Sequence, residues 1–200
     1  MMVGGKQSFG SGGYFQSAID NLLPVSMELK NEHRKLSIAM AVVMDRSGSM
    51  AATAGGGKTK MDLANTGAAR AVEVLGAQDQ VCVFAVDSEP YRIVPLVDIR
   101  DKKKVIIDKI RRIRSQGGGI YVYNGLKAAW DELKKSTAGI RHVILFSDAA
   151  DSEQPASYKK LIAEMTKEGC TVSVIGLGTP KDSDASFLQD IAKRGKGRCF

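Results

Sequence analysis

Apolar residues fall along this chain in two textures. Ser37 to Asp45 is a nearly continuous apolar run that closes on a carboxylate, the texture of a strand buried on both faces. After a loop of Ser, Gly and Ala, the residues Met61, Ala64, Ala68, Ala71, Val72 and Leu75 recur at helical spacing. Gln80 to Val86 and Tyr91 to Val97 read as strands, and only Asp87 to Pro90 separates them, which predicts a hairpin. Asp101 to Arg114 predicts a basic amphipathic helix with Ile106, Ile110 and Ile113 on one face. Beyond Gly117-Gly118-Gly119, a further helix turns Val122, Leu126, Ala129, Trp130 and Leu133 inward. His142 to Asp148 is a second buried strand, again ending in Asp. Tyr158, Leu161, Ile162 and Met165 form the next helical stripe, Thr171 to Leu177 a strand, and Phe187, Leu188 and Ile191 mark a last helix. Gly197 to Phe200 reads as the start of one more strand, cut short.

Strands alternating with helices predict an α/β fold: a Rossmann-like, doubly wound, mostly parallel sheet with helices on both faces. The hairpin adds one antiparallel edge strand. Met1 to Gly13 is rich in Gly and Ser, and Asn21 to Lys35 carries an extended-looking Leu22-Leu23-Pro24-Val25. The expected organisation is therefore a flexible leader over residues 1–36 and one domain over residues 37–200, excised from a longer protein with its last strand truncated.

Composition narrows the class. The 200 residues are 44% hydrophobic and 26% charged, enough for one core without covalent staples. Cys82, Cys170 and Cys199 are three in number and each sits in a strand-like stretch, which excludes a disulfide scaffold and predicts reduced core thiols. The longest apolar run, Ile38 to Met44, falls far short of the roughly 20 residues of a membrane helix. No signal-peptide pattern opens the chain. The net charge is +7, from 29 Lys and Arg against 22 Asp and Glu. The basic residues Lys102, Lys103, Lys104, Lys109, Arg111, Arg112 and Arg114 lack interleaved aromatic or base-reading groups, so a solvated helix face is expected and nucleic acid is not.

Candidate chemistry lies at the strand ends. Ligands of open parallel sheets bind beyond the carboxyl ends of strands, where strand order reverses. Asp45 and Asp148 close two buried strands, and Asp45, Ser47 and Ser49 alternate along the loop that follows the first. The bland reading of that loop is a turn or helix-cap cluster, which Asp and Ser also favour. Two carboxylates and two hydroxyls are hard donors suited to Mg²⁺, which takes about six oxygens and keeps several waters. At least one position would stay open for a carboxylate from another molecule.

This pattern resembles the von Willebrand factor type A domain, from about Ser37 to the end of the chain. The family carries a metal-ion-dependent adhesion site built on Asp-x-Ser-x-Ser, matched here by Asp45, Ser47 and Ser49, and a later strand-ending Asp matched by Asp148. Lys60-Met61-Asp62-Leu63-Ala64 is similar to the first helix of bacterial members. The resemblance implies a binding module, not an enzyme. In it Mg²⁺, or Mn²⁺ or Ca²⁺, bridges to a carboxylate on a protein partner, with Asp148 holding a metal-bound water. The chain itself holds no membrane span, although bacterial relatives often sit in membrane-linked proteins. Ile120 stands where the family supplies a Thr and has no donor atom; water or a backbone carbonyl would replace it, or affinity would fall. Asp151 is a further candidate acting through water.

Two other readings compete. One is a scaffold of the same fold with a degenerate, metal-free site, motivated by Ile120. The other is a phosphate-processing enzyme of the haloacid dehalogenase type, but that chemistry wants a second Asp where Ser47 stands. Gly55-Gly56-Gly57-Lys58-Thr59 resembles the end of a phosphate-binding loop, yet Ala52 occupies the place of its first Gly. Of the two histidines, His142 opens a strand and His33 falls in the leader; neither completes a nucleophile–base set. Trp130, Tyr121 and Tyr123 read as core or rim, although the two tyrosines flank the crevice and could touch a ligand. The sequence leaves the oligomeric state open.

Overall fold

The computed structural model describes residues 37–148, 158–178 and 185–200, all within the unit Ser37–Phe200. In order, these are β1 (Ile38–Asp45), α1 (Lys60–Glu73), β2 (Gln80–Val86), β3 (Pro90–Asp98), α2 (Lys103–Arg111), α3 (Val122–Leu133), β4 (Ile140–Ser147), α4 (Tyr158–Lys167), β5 (Cys170–Gly176), α5 (Ala185–Arg194) and β6 (Lys196–Cys199). The six strands form one sheet in the order β3-β2-β1-β4-β5-β6. The β2–β3 hairpin is antiparallel and every other neighbouring pair is parallel. The predicted doubly wound sheet with one antiparallel edge strand is the fold that forms. The leader over residues 1–36, with His33, and Asp151 lie outside the described residues.

Each face of the sheet has its own core. Ala39, Ala41 and Val43 of β1 join α3, α4 and α5, whereas Met40, Val42 and Met44 join α1 and α2. That two-sided burial is why β1 is apolar at every position up to Asp45 rather than at alternate ones. Helix α3 lies close against the sheet at Gly125, where a Cβ would come within 2.9 Å of both Val43 and Val86. Trp130 is buried in the same core, as its helical spacing implied.

The structure corrects two local expectations. The basic helix is shorter than the Asp101–Arg114 stripe: Arg100–Lys102 is a 3-10 turn and α2 ends at Arg111. Ile113 remains buried beyond the helix end, and Asn65 Nδ2 donates to its carbonyl at 2.9 Å. A side chain from α1 thus takes the acceptor that a longer helix would have used. The other correction concerns the thiols. Cys82 and Cys170 are buried, and burial pushes each thiol up to about 12. Cys199 is exposed, because β6 is a short strand at the sheet edge. On α2 the basic residues Lys104, Lys109 and Arg111 are exposed, while Lys103 Nζ donates to the carbonyls of Glu73, the last residue of α1, and of Leu75 beyond it. A cation there complements the carboxyl end of α1. Among the described residues no helix is long and apolar enough to cross a membrane.

Candidate functional site

Strand order reverses beside β1. Its crossover through α1 leads to β2 on one side, while β4 enters on the other. The carboxyl ends of β1 and β4 therefore flank the switch point, and Asp45 is the last residue of β1 while Asp148 follows β4 directly. Both residues are almost inaccessible, at 0% and 3% exposure.

The loop leaving β1 is folded by its own polar groups. Ser47 N donates to Asp45 Oδ1 at 2.8 Å, an Asx-type turn. A 3-10 turn over Gly48–Ala51 then buries Met50, which anchors the loop in the core facing α1. The Ser47 and Ser49 hydroxyls are 3.0 Å apart, and Ser49 Oγ donates to Asp148 Oδ1 at 2.9 Å. Asp45 Oδ2 accepts from Ser147 Oγ at 2.6 Å. All four residues singled out in the sequence thus belong to one hydrogen-bonded chain running from Asp45 through Ser47 and Ser49 to Asp148.

A second loop backs the first. Gln116 N donates to Arg46 O at 3.1 Å, Gly48 N to Gly118 O at 3.2 Å, and Ser115 Oγ to Ser47 O at 2.6 Å. Gly117 and Gly118 both adopt positive φ, 86° and 82°, which lets this segment turn back toward Ile120 without a Cβ penalty. The Ile120 side chain is wholly buried in the core of α3, α4 and α5, so it supplies no donor. Arg46 points away along β2: its guanidinium pairs with Asp87 at 2.7 Å and stacks on the Tyr91 ring at 3.9 Å. Tyr121 contributes its backbone N–H to Asp87 O at 3.0 Å, and Tyr123 lines a cleft between α3 and α4 with Lys127 and Glu164.

Lys60 is the residue that the strand-end argument did not place here. Its Nζ lies 2.7 Å from Asp148 Oδ2. It sits in the first turn of α1, whose start is fixed by a capping box between Thr59 and Asp62. Thr59 spends its hydroxyl on that cap, so the glycine-rich stretch before it serves as a helix entry. Ser115 and Ser147 were likewise not singled out, because only their tertiary neighbours give them a role.

Burial dominates the electrostatics. It raises the Asp45 carboxyl above its usual range despite hydrogen bonds from Ser147 and Ser47, and the nearby charge of Asp148 adds to the rise. A carboxylate in that position favours a compensating cation. The donors are all hard oxygens, the set that Mg²⁺, Mn²⁺ and Ca²⁺ prefer. The residues present therefore fit a divalent cation. The His142 ring is half-buried in β4, with Nδ1 2.6 Å from Thr171 Oγ1.

Fold and site together define an open, doubly wound α/β domain with an acid-and-hydroxyl crevice at its switch point. The chain belongs to the von Willebrand factor type A domain family, whose model matches residues 40–150. Domains of this family are typically non-enzymatic adhesion or scaffold modules. No curated protein sequence matches the chain. Among solved structures, it is similar to the conserved hypothetical protein BatB from Bacteroides thetaiotaomicron, at TM-score 0.72 and 18% identity, covering 82% of this chain and 89% of that one. It is also similar to the PilB minor pilin of Streptococcus sanguinis, at TM-score 0.64 and 16% identity, covering 82% of this chain and 56% of that one. Proximal thread matrix protein 1 of the mussel byssus, solved with a zinc-occupied MIDAS motif, aligns at TM-score 0.65 and 20% identity, covering 82% of this chain and 41% of that one.

Proposed function

We propose that the domain is a metal-ion-dependent protein-binding module. Asp45, Ser47 and Ser49 would hold a divalent cation, with Asp148 acting through a metal-bound water. When bound, the cation supplies a Lewis-acidic position for a carboxylate of a partner protein. The observation that carries this reading is the hydrogen-bonded chain from Asp45 to Asp148 in a buried crevice at the switch point. Hydroxyls held between two carboxylates are oriented before any ion arrives, which lowers the ordering cost of binding. Support comes from the family match and from a similarly folded protein solved with zinc in its motif. A pilus component among the structural neighbours agrees with a protein partner.

Mg²⁺ is the first candidate, with Mn²⁺ and Ca²⁺ as alternatives, and Ile120 leaves a position that water or backbone must fill. The competing reading, a metal-free scaffold, draws on the ammonium of Lys60 already seated against Asp148. Thermal unfolding separates the two. A cation that binds only the folded state stabilises it by RT ln(1 + [L]/Kd), about 2.7 kcal/mol at a hundredfold excess over Kd. The melting temperature of the parent should rise with millimolar Mg²⁺ or Mn²⁺ and return with EDTA, and Asp45→Asn should abolish the rise. Identical responses from parent and variant would sink the metal reading in favour of the scaffold.

A further inference from the structure

Lys60 occupies a position that helix electrostatics disfavour. It is the first residue of α1, where the partial positive charge of the helix end opposes a cation. The capping box of Thr59 and Asp62 fixes its backbone, and its stem carries the ammonium across to Asp148, 88 residues away in sequence. Lys60 Nζ takes Oδ2 at 2.7 Å while Ser49 Oγ takes Oδ1 at 2.9 Å, so one buried carboxylate is gripped from both oxygens. The Asp148 side chain is 1% exposed and that of Lys60 20% exposed, so the lysine stem retains a path to solvent.

We propose that Lys60 is a tethered counter-ion that competes with the divalent cation for the crevice. This rests on the cation reading above. An ammonium and a doubly charged ion on the same few oxygens repel one another, and the repulsion is strong where water is excluded. Loading the crevice therefore requires the ammonium to leave Asp148, which a flexible four-carbon stem permits. Lys60 keeps the Asp148 carboxylate paired and ordered, and it sets cation affinity below what the oxygen donors alone would give. The domain then loads only when the cation concentration is high enough to displace its own side chain.

The test uses the full chain with Mn²⁺ as probe, at fixed ionic strength. Titration calorimetry gives Kd for the parent, Lys60→Met and Lys60→Arg, and each melting temperature is taken in EDTA and in saturating Mn²⁺. Lys60→Met should bind Mn²⁺ at least about tenfold more tightly, the factor expected when a charge-assisted contact no longer has to be broken. It should melt below the parent in EDTA, and the deficit should vanish or reverse in Mn²⁺, whereas Lys60→Arg should follow the parent in both. A merely structural ion pair would lower the melting temperature equally in both conditions. If Lys60→Met does not fold in EDTA, Lys60→Gln replaces it, keeping a hydrogen bond without the charge. A Kd within twofold of the parent overturns the competition and leaves the cation reading standing. No Mn²⁺ binding by the parent or any variant overturns both.

Discussion

Ser147 shows how a site residue can be plain in the sequence and still carry no readable role. It is the last residue of β4, and nothing local distinguishes it from a strand-end serine. The parallel register pairs Met44 with Phe146, so the next step along both strands sets Ser147 beside Asp45. There its hydroxyl donates to Asp45 Oδ2 at 2.6 Å, with both side chains fully buried. Asp45, Ser47 and Ser49 were legible because their alternation is a short-range pattern. Ser147, Ser115 and Lys60 act only across strands and loops, so their roles appear with the tertiary register. Removing the Ser147 hydroxyl takes a donor from a buried carboxylate, a loss of about 1.5–3 kcal/mol for a hydrogen bond to a charged group. Ser147→Ala should lower the urea midpoint correspondingly, with an unchanged denaturant slope. An unaltered midpoint would mean that water replaces the hydroxyl at no cost.

At the scale of the element, α1 decides how the site loop ends. Gly55, Gly56 and Gly57 all adopt positive φ, and the chain then enters α1 through Thr59. Thr59 N and Oγ1 both donate to Asp62 Oδ2, at 3.0 and 2.9 Å, and Asp62 N donates back to Thr59 Oγ1 at 3.1 Å. The sequence showed a resemblance to a phosphate loop because both structures put glycines and a hydroxyl residue ahead of a helix. What differs is the use of the hydroxyl, which the side-chain reciprocity of the cap settles. These hydrogen bonds from Thr59, backbone first and then side chain, hold the Asp62 carboxyl below its usual range. The folded state therefore favours the ionised form more than the unfolded chain does. Stability from this cap is fully present above the unfolded carboxyl range, near 3.8, and is lost as pH falls through the lower folded value. Carbon-detected NMR titration should place the Asp62 midpoint below that of an unfolded aspartate, and Thr59→Ala should return it toward the ordinary value. The end of α2 shows the opposite case, a long-range contact just beyond a helix. The apolar stripe runs on to Ile113 although α2 ends at Arg111, and Asn65 of α1 donates to the Ile113 carbonyl across 48 residues, a contact the stripe does not encode.

For the whole molecule, the order β3-β2-β1-β4-β5-β6 matters more than any single strand. The hairpin and the alternation of strands with helices were readable, because loop length and hydrophobic period are local. The position of β1 between β2 and β4 follows from crossover handedness and from which faces need covering, and it is this order that brings Asp45 and Asp148 to one crevice. A sheet with both faces covered within Ser37–Phe200 has the two cores that independent folding requires: α3, α4 and α5 on one side, α1 and α2 on the other. We therefore propose that residues 37–200 form an autonomous domain. A fragment of residues 37–200 should melt cooperatively within a few degrees of the full chain and retain the same rise in melting temperature with Mn²⁺. A fragment that folds but loses its cation response would overturn the autonomous domain as the seat of the cation site. One that fails to fold would overturn the autonomy of residues 37–200.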